Sequence, residues 1–137
     1  MGSRSKSRKR ALDILFESEM RGLPLGATLE ERRASEDPPV GEYTVRIVEG
    51  VRDHLARIDE LIGAYATGWT LERMPAVDRN ALRIGVYELL FGSEVPEAVA
   101  ITEAMNLVRD LSTDESPSFV NGVLGAILRD KAVVGLS

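Results

Sequence analysis

Apolar residues recur at helical spacing along almost the whole chain. Near the N-terminus, Leu12, Leu15, Phe16 and Met20 follow one another at intervals of three, one and four residues. This spacing places them on one face of a helix that begins near residue 4 and ends by Gly22. Runs of β-branched residues are absent, and aromatic residues are few. The pattern therefore predicts an all-α protein.

The middle of the chain predicts further helices. Thr28 is a candidate N-cap of a short helix that ends near Ala34, and the segment Glu36–Pro39 predicts a break. A long apolar stripe then runs through residues 40–66, which exceeds the usual length of one helix. We expect two consecutive helices there, divided at Gly50 or near His54. The stripe consists of Val48, Val51, Leu55, Ile58, Ile62 and Tyr65.

The C-terminal half predicts three more helices. Pro75 suits the first turn of a helix whose residues 81–91 are almost all apolar, which is typical of a central helix. A narrower amphipathic helix follows over residues 101–111. Ser116 and Pro117 predict an N-cap and a first turn for the last helix. We expect six or seven helices in two small packed bundles within one domain, residues 1–137. The expected parts are a basic arm (1–10), an N-terminal bundle (about 11–68), a join (69–75) and a C-terminal bundle (about 75–133).

The charge of the chain is distributed unevenly. The net charge is −5, yet residues 1–10 carry five basic residues and no acidic one. The other 12 basic residues face 22 acidic ones, so the rest of the chain has a net charge of −10. A basic segment on an acidic body predicts two surfaces, one for phosphate and one for a basic protein.

The basic segment is the candidate for nucleic-acid binding. Arg4, Lys6 and Arg8 would share one side of an extended strand, whereas in a helix only Arg4 and Arg8 would stack and Lys6 would lie opposite. Phe16 offers an aromatic face to an unstacked base, although it also fits the apolar stripe. A basic N-terminus can equally be a solubilising tail. The five cations of the segment are Arg4, Lys6, Arg8, Lys9 and Arg10.

Enzymatic chemistry finds little support in the sequence. The only histidine is His54, without a nearby partner in the sequence, and there is no cysteine, which argues against zinc and disulfides. No phosphate-binding loop, dinucleotide turn or nucleophile elbow occurs, so we expect no enzyme, metal or cofactor. The absence of a secretory signal or a long apolar run predicts a cytoplasmic protein without a membrane partner.

Three ordered motifs resemble one known family. They are LRIGVYEL at residues 82–89, a proline at 96 followed by AITEA at 100–104, and FVNGVL at 119–124. Together with the basic N-terminus and ALDILF at residues 11–16, they resemble the N-utilisation substance B (NusB) family. Thr102 stands where the family usually has asparagine, and Phe16 stands where tyrosine is commoner. The similarity is weakest over residues 22–41.

The resemblance implies an all-helical fold and a role in transcription antitermination. It implies binding to boxA-type single-stranded RNA of ribosomal RNA leaders, together with the ribosomal protein NusE, within the antitermination complex of RNA polymerase. The family's N-terminal arginines fall on Arg4, Lys6 and Arg8, its aromatic residue on Phe16, and its FVNG segment on residues 119–122.

From the residues and the resemblance together, we expect a two-surface adaptor. Ser116, Phe119 and Asn121 at the start of the last helix are candidate RNA contacts, although Phe119 also suits the core and Asn121 a buried hydrogen bond. Arg79 is a further phosphate candidate, or else part of a surface ion pair. The candidate contacts for a basic protein partner are Glu72, Asp78, Glu88 and Glu103.

An alternative function does not involve RNA binding. The chain would then be a protein-binding helical adaptor or a homodimer module, and its basic segment would be only a tail. Neutralising the basic residues would leave the function of such a module unchanged.

Overall fold

The computed structural model describes residues 2–35, 39–92 and 94–134. This part of the chain is helical and contains no strand, as the apolar pattern predicts. The predicted break at Glu36–Pro39 falls mostly outside the described residues. The helices are α1 (Ser3–Met20), α2 (Ala27–Ser35), α3 (Glu42–Asp53), α4 (Leu55–Tyr65), α5 (Ala76–Val86), α6 (Glu97–Leu111), α7 (Ser116–Arg129) and α8 (Lys131–Val134).

Helix α1 includes the basic segment, which is therefore helical and not extended. Its buried face contains Ala11, Leu12, Ile14 and Leu15, which pack against α2, α3 and α5. Thr28 is not the N-cap of α2, because it lies inside the helix and its hydroxyl donates to the carbonyl of Ile14 at 3.0 Å. The contact ties α2 to α1.

The predicted division of the long stripe is confirmed at His54. This residue separates α3 from α4 with a non-helical backbone (φ −116°, ψ 18°). After α4, Gly68 adopts a positive φ of 82°, which a residue without a Cβ adopts at no steric cost. A 3-10 turn, Leu71–Arg73, then leads to α5.

Helix α5 is the central helix of the fold. It packs against α1, α4, α6 and α7, and all its residues from Asn80 to Val86 are buried. It continues as a π-helical turn, Tyr87–Phe91, in which the N–H of Gly92 donates to the carbonyl of Tyr87 at 2.8 Å. A Cβ at Gly50 would lie 2.0 Å from Cε1 of Tyr87, so this glycine lets α3 approach the turn.

The helices share one core. Helix α1 contacts α2, α3, α5 and α6, helix α4 contacts α3, α5 and α7, and α5 to α7 contact one another. One cluster of buried apolar side chains runs through these helices. At the start of α7, Ser116 does not cap the helix, because its hydroxyl donates to Asp78 Oδ2 at 2.8 Å. No helix among the described residues is long and apolar enough to cross a membrane.

Candidate nucleic-acid interface

One exposed stripe follows the length of α1. The residues Lys6, Lys9, Asp13, Phe16 and Met20 are separated by three or four positions, and all of them are exposed. Phe16 keeps 36% and Met20 keeps 55% of its surface accessible. Phe16 therefore lies on the same face as Lys9, about 10 Å further along the helix. The stripe is basic at its N-terminal end and apolar at its C-terminal end.

A groove of about 430 Å³ runs beside the basic end of this stripe. Lys6, Lys9 and Arg10 line its α1 side, and Gly41 and Thr44 line its α3 side. The basic segment and the start of α3 thus form one concave surface. Sequence reasoning identified the three cations but missed the α3 side, since nothing in the sequence of α3 indicates which helix it packs against.

Arg8 lies away from the groove, in the core. Its side chain is 3% exposed, and its Nε donates to both carboxylate oxygens of Glu88, at 2.9 and 3.0 Å. Glu103 lies 3.4 Å from Nη1 of Arg8, and the hydroxyl of Tyr43 donates to Glu88. Burial alone would lower the pKa of Arg8, but Glu88 raises it above its ordinary value.

This position changes the interpretation of two predicted contacts. In this structure Arg8 is not available to a phosphate and Glu88 is not available to a protein partner, because each is already paired inside the core. Arg8 precedes Ala11, Leu12 and Leu15 by three, four and seven residues. The buried register of α1 therefore includes Arg8, a signal that was present in the sequence.

Arg4 lies on the surface, but it already has a partner. Its Nη2 contacts Glu94 Oε2 at 2.9 Å, and its guanidinium lies 4.6 Å from the centre of the Tyr43 ring. Arg46 of α3 pairs with the same carboxylate and also contacts the Tyr43 ring. Arg46 is a cation of this surface that sequence reasoning missed.

Arg79 belongs to a second ion-pair cluster, at the opposite end of α1. It pairs with Glu19 and donates to the carbonyls of Leu71 and Met74, at 2.6 and 3.0 Å. Arg83 bridges Glu19 and Asp59. Burial tends to raise the pKa of Glu19, but the two arginines lower it below its ordinary value. Arg79 thus anchors the segment between α4 and α5 to α1.

The residues at the start of α7 differ in exposure. Ser116 is buried, Phe119 is half-buried and Asn121 is exposed. Phe119 meets the ring of Trp69 edge-on, with ring centres 6.3 Å apart. Ser116, Phe119, Trp69 and Asp78 line one pocket. The sequence placed Trp69 in the join but did not indicate that it lines a pocket with Phe119.

The acidic candidates for a protein partner do not share one surface. Glu72 is exposed, and Glu103 keeps 20% of its side chain accessible while accepting a hydrogen bond from Ser5 at 2.6 Å. Asp78 is only 3% exposed and pairs with Ser116, so like Glu88 it does not present its carboxylate on the surface.

The fold and this surface define a small all-helical protein with a cationic face on its first helix. Comparison with known proteins identifies its family. The NusB family model matches residues 5–129, so the chain belongs to the NusB family. It is similar over nearly its whole length to proteins called transcription antitermination protein NusB. The sequence is 59% identical to that of Nocardioides sp. (96% of this chain, 97% of the relative) and 53% identical to that of Thermobifida fusca (98% and 95%).

Solved structures show the same fold. The chain is similar to T. maritima NusB with a TM-score of 0.79 and 35% identity, and the match covers 94% of this chain and 92% of that one. It is also similar to a chain in the crystal structure of the antitermination factors NusB and NusE in complex with dsRNA. That match has a TM-score of 0.80 and 29% identity, and it covers 92% and 96% of the two chains.

Proposed function

We propose that this chain is a transcription antitermination factor that binds RNA through the exposed stripe of α1 and acts together with NusE. One observation carries the proposal for RNA: Lys6, Lys9 and Arg10 line a single groove, and Phe16 lies on the same helix face as Lys9. Membership of the NusB family, whose relatives are named for antitermination, supports the role in transcription.

The arrangement of the cations suits a phosphate backbone. Lys6 and Lys9 are exposed and lie about 4.5 Å apart along the helix axis, so two neighbouring phosphates can each meet one ammonium group. Neutralising phosphates releases counterions, which makes the affinity depend on salt. Arg10 adds a third cation to the lining of the groove.

The aromatic residue on this face favours single-stranded RNA. A base in a regular duplex is already stacked on its neighbours, whereas an unpaired base can stack on an aromatic side chain. Phe16 offers such a face about two helical turns from Lys9. The RNA proposed for this surface is therefore a boxA-type single-stranded element.

NusE is the proposed protein partner within the antitermination complex of RNA polymerase. A solved relative occurs in a complex of NusB and NusE with dsRNA. Beyond its first ten residues this chain has a net charge of −10, which favours a basic partner. Glu72 is exposed and Glu103 partly exposed, so these two of the predicted acidic contacts remain candidates.

The test measures the binding of boxA-type RNA and of a scrambled RNA by fluorescence anisotropy, with and without NusE. We expect tighter binding of the boxA-type RNA, and weaker binding when Lys6 and Lys9 are both replaced by alanine. The matched control replaces Arg33 and Arg52, which are exposed cations on α2 and α3 outside the groove, and should bind like wild type.

Two results would contradict the proposal. If the two RNAs bound equally and the groove variant behaved like the control, the basic segment would be only a tail. If no RNA bound while the chain self-associated or bound NusE alone, the protein-binding adaptor or homodimer would be the better description.

A further inference from the structure

One exposed carboxylate lies between two arginines near the start of α1. Oε2 of Glu94 is 2.9 Å from Nη2 of Arg4 in α1, and Oε1 is 2.9 Å from Nη1 of Arg46 in α3. Each oxygen of this carboxylate therefore has its own guanidinium partner. Two guanidinium groups placed in this way also match two oxygens of a phosphate group, which accepts the same charge-assisted hydrogen bonds.

The ring of Tyr43 supports both arginines, which we call the arginine clamp. The guanidinium carbons of Arg4 and Arg46 lie 4.6 and 5.4 Å from the centre of this ring. The ring is fixed in turn, because the hydroxyl of Tyr43 donates to the buried carboxylate of Glu88. The clamp is therefore formed before a ligand arrives, and an anion that binds there does not have to order the two side chains first.

The carboxylate in the clamp can be exchanged for another anion. Arg4, Arg46 and Glu94 keep 44%, 48% and 42% of their side chains exposed, so water and salt screen their attraction. Glu94 also lies outside the helices, between the π-helical turn and α6, so its side chain can turn away without breaking a helix. The carboxylate of Glu88 differs, because it is buried against Arg8 and is not accessible to a ligand.

The clamp is close to the proposed RNA surface. Arg4 precedes Lys6 by two residues in α1, which is about 3 Å along the helix axis, and the two side chains lie on opposite sides of the helix. An RNA strand that crosses the first turns of α1 can therefore pass from Lys6 to the clamp. One of its phosphates would then compete with the carboxylate of Glu94 for the same two guanidinium groups.

We propose that Glu94 is an intramolecular competitor of RNA, whose carboxylate occupies the arginine clamp until a phosphate of the RNA displaces it. The inference rests on the proposed function, because it concerns the regulation of the same RNA surface. It adds Arg46 to the RNA contacts and gives Glu94 the role of lowering the affinity. The main-chain carbonyl of Glu94 also accepts from Nη1 of Arg4 at 3.4 Å, so the displaced carboxylate stays close by and continues to compete.

The test compares two variants that each lose one negative charge, by anisotropy titration of boxA-type RNA at about 0.15 M salt, where charges more than about 8 Å apart are largely screened. We expect Glu94→Gln to bind RNA about two- to fivefold more tightly than wild type, since an exposed ion pair changes an equilibrium constant by up to about fivefold. The matched control is Glu97→Gln, because Glu97 forms a similarly exposed ion pair with Lys131, outside the clamp. It should change the affinity by less than about 1.5-fold.

A double-mutant cycle shows whether the gain depends on the clamp. When Arg4→Gln and Arg46→Gln remove both guanidinium groups, adding Glu94→Gln should change the RNA affinity by less than about 1.5-fold. Adding Arg46→Gln alone to Glu94→Gln should weaken binding and reduce the salt slope by about 0.7, the value for one phosphate contact. Circular dichroism melts check that the arginine variants remain folded, whereas a loss of folding cannot produce the gain expected for Glu94→Gln.

The outcomes separate this inference from the proposed function. If Glu94→Gln and Glu97→Gln bound RNA equally, or if the gain persisted without the two arginines, the competition would be overturned and the RNA surface of α1 would stand. Weaker binding by Glu94→Gln than by wild type would also overturn it, since Glu94 would then orient the arginines for RNA. If neither wild type nor any variant bound boxA-type RNA, the inference and the proposed RNA binding would both be overturned.

Discussion

Arg8 and Lys9 are neighbours in the sequence, yet α1 places their charges in different environments. The Arg8 guanidinium is enclosed by Glu88, Glu103 and the Tyr43 ring, with 3% of its side chain exposed. The Lys9 ammonium lies on the exposed stripe and lines two grooves. A buried cation with carboxylate partners stabilises helix packing, whereas an exposed one remains available to phosphate.

The difference shows that the register of a helix determines what its cations do. The buried face of α1 continues from Leu15 through Leu12 back to Arg8, and the exposed stripe continues from Phe16 back to Lys9 and Lys6. A count of basic residues treats the N-terminal segment as one patch. The structure divides it into a buried part that is paired in the core and an exposed part, where we propose that RNA binds.

The largest expected effect is on the buried side. Glu88→Ala leaves Arg8 in the core without its main partner and should lower the free energy of unfolding by about 3 to 5 kcal/mol. Replacing both residues with apolar ones, Arg8→Met with Glu88→Leu, should cost less, because no charge then remains buried. Urea denaturation measures both changes. A double variant less stable than Glu88→Ala would contradict this account of the cluster.

On the exposed side, Phe16→Ala should weaken the binding of single-stranded RNA by about 1 to 3 kcal/mol, because a stacking face is lost. Phe16→Tyr is the matched control, since it keeps the ring. Anisotropy titrations measure the affinity, and thermal melts should differ little because Phe16 is 36% exposed. Equal RNA affinity of the alanine and tyrosine variants would remove Phe16 from the RNA surface.

The buried cluster should also respond to alkaline pH. Burial and the hydrogen bond to Glu88 raise the pKa of Tyr43 above its ordinary value. The protonated phenol then stabilises the fold fully below the unfolded pKa of about 10, and this contribution is lost as the pH rises above it. We expect stability to fall there by up to about 1.4 kcal/mol per pH unit for this group.

The variant Tyr43→Phe should reduce this alkaline slope, which urea denaturation between pH 9 and 11 can measure. A smaller slope should remain, because a hydrogen bond to Asp130 raises the pKa of Tyr65 and burial raises that of Tyr87. An unchanged slope in the variant would show that Tyr43 titrates alike in the folded and unfolded chains.

The smallest effect is expected for the surface ion pair at the start of α1. The side chains of Arg4 and Glu94 are 44% and 42% exposed, so water and salt screen their attraction. Arg4→Ala should change the free energy of unfolding by less than about 1 kcal/mol. If Arg4→Ala lowered the free energy of unfolding as much as Glu88→Ala, the difference in exposure between the two ion pairs would not explain what each contributes to stability.

The sequence predicted the elements better than their ends. The stripe of apolar residues and the excess length of residues 40–66 were enough to predict two helices there. Thr28 and Ser116 look like N-caps, but each hydroxyl instead bonds to another helix, at Ile14 and at Asp78. Such contacts depend on tertiary packing, which local sequence does not encode.

The candidate site shows the same limit. The basic segment, Phe16 and the start of α7 were found from charge, aromatic character and resemblance. The pairing of Arg8 with Glu88 was not, because the two residues are 80 positions apart and meet only when α1 packs against the π-helical turn. The contact between Trp69 and Phe119 was not predicted either, because these two residues also meet only in the folded chain.

The most direct test of the division of α1 is the dependence of RNA affinity on salt. Each phosphate contact to single-stranded RNA contributes about 0.7 to the slope of the logarithm of the association constant against the logarithm of salt concentration. Replacing Lys6 and Lys9 with alanine should reduce the slope by about 1.4, and Arg8→Met with Glu88→Leu should leave it unchanged. An unchanged slope in the lysine variant, with a reduced slope in the Arg8 variant, would contradict the account.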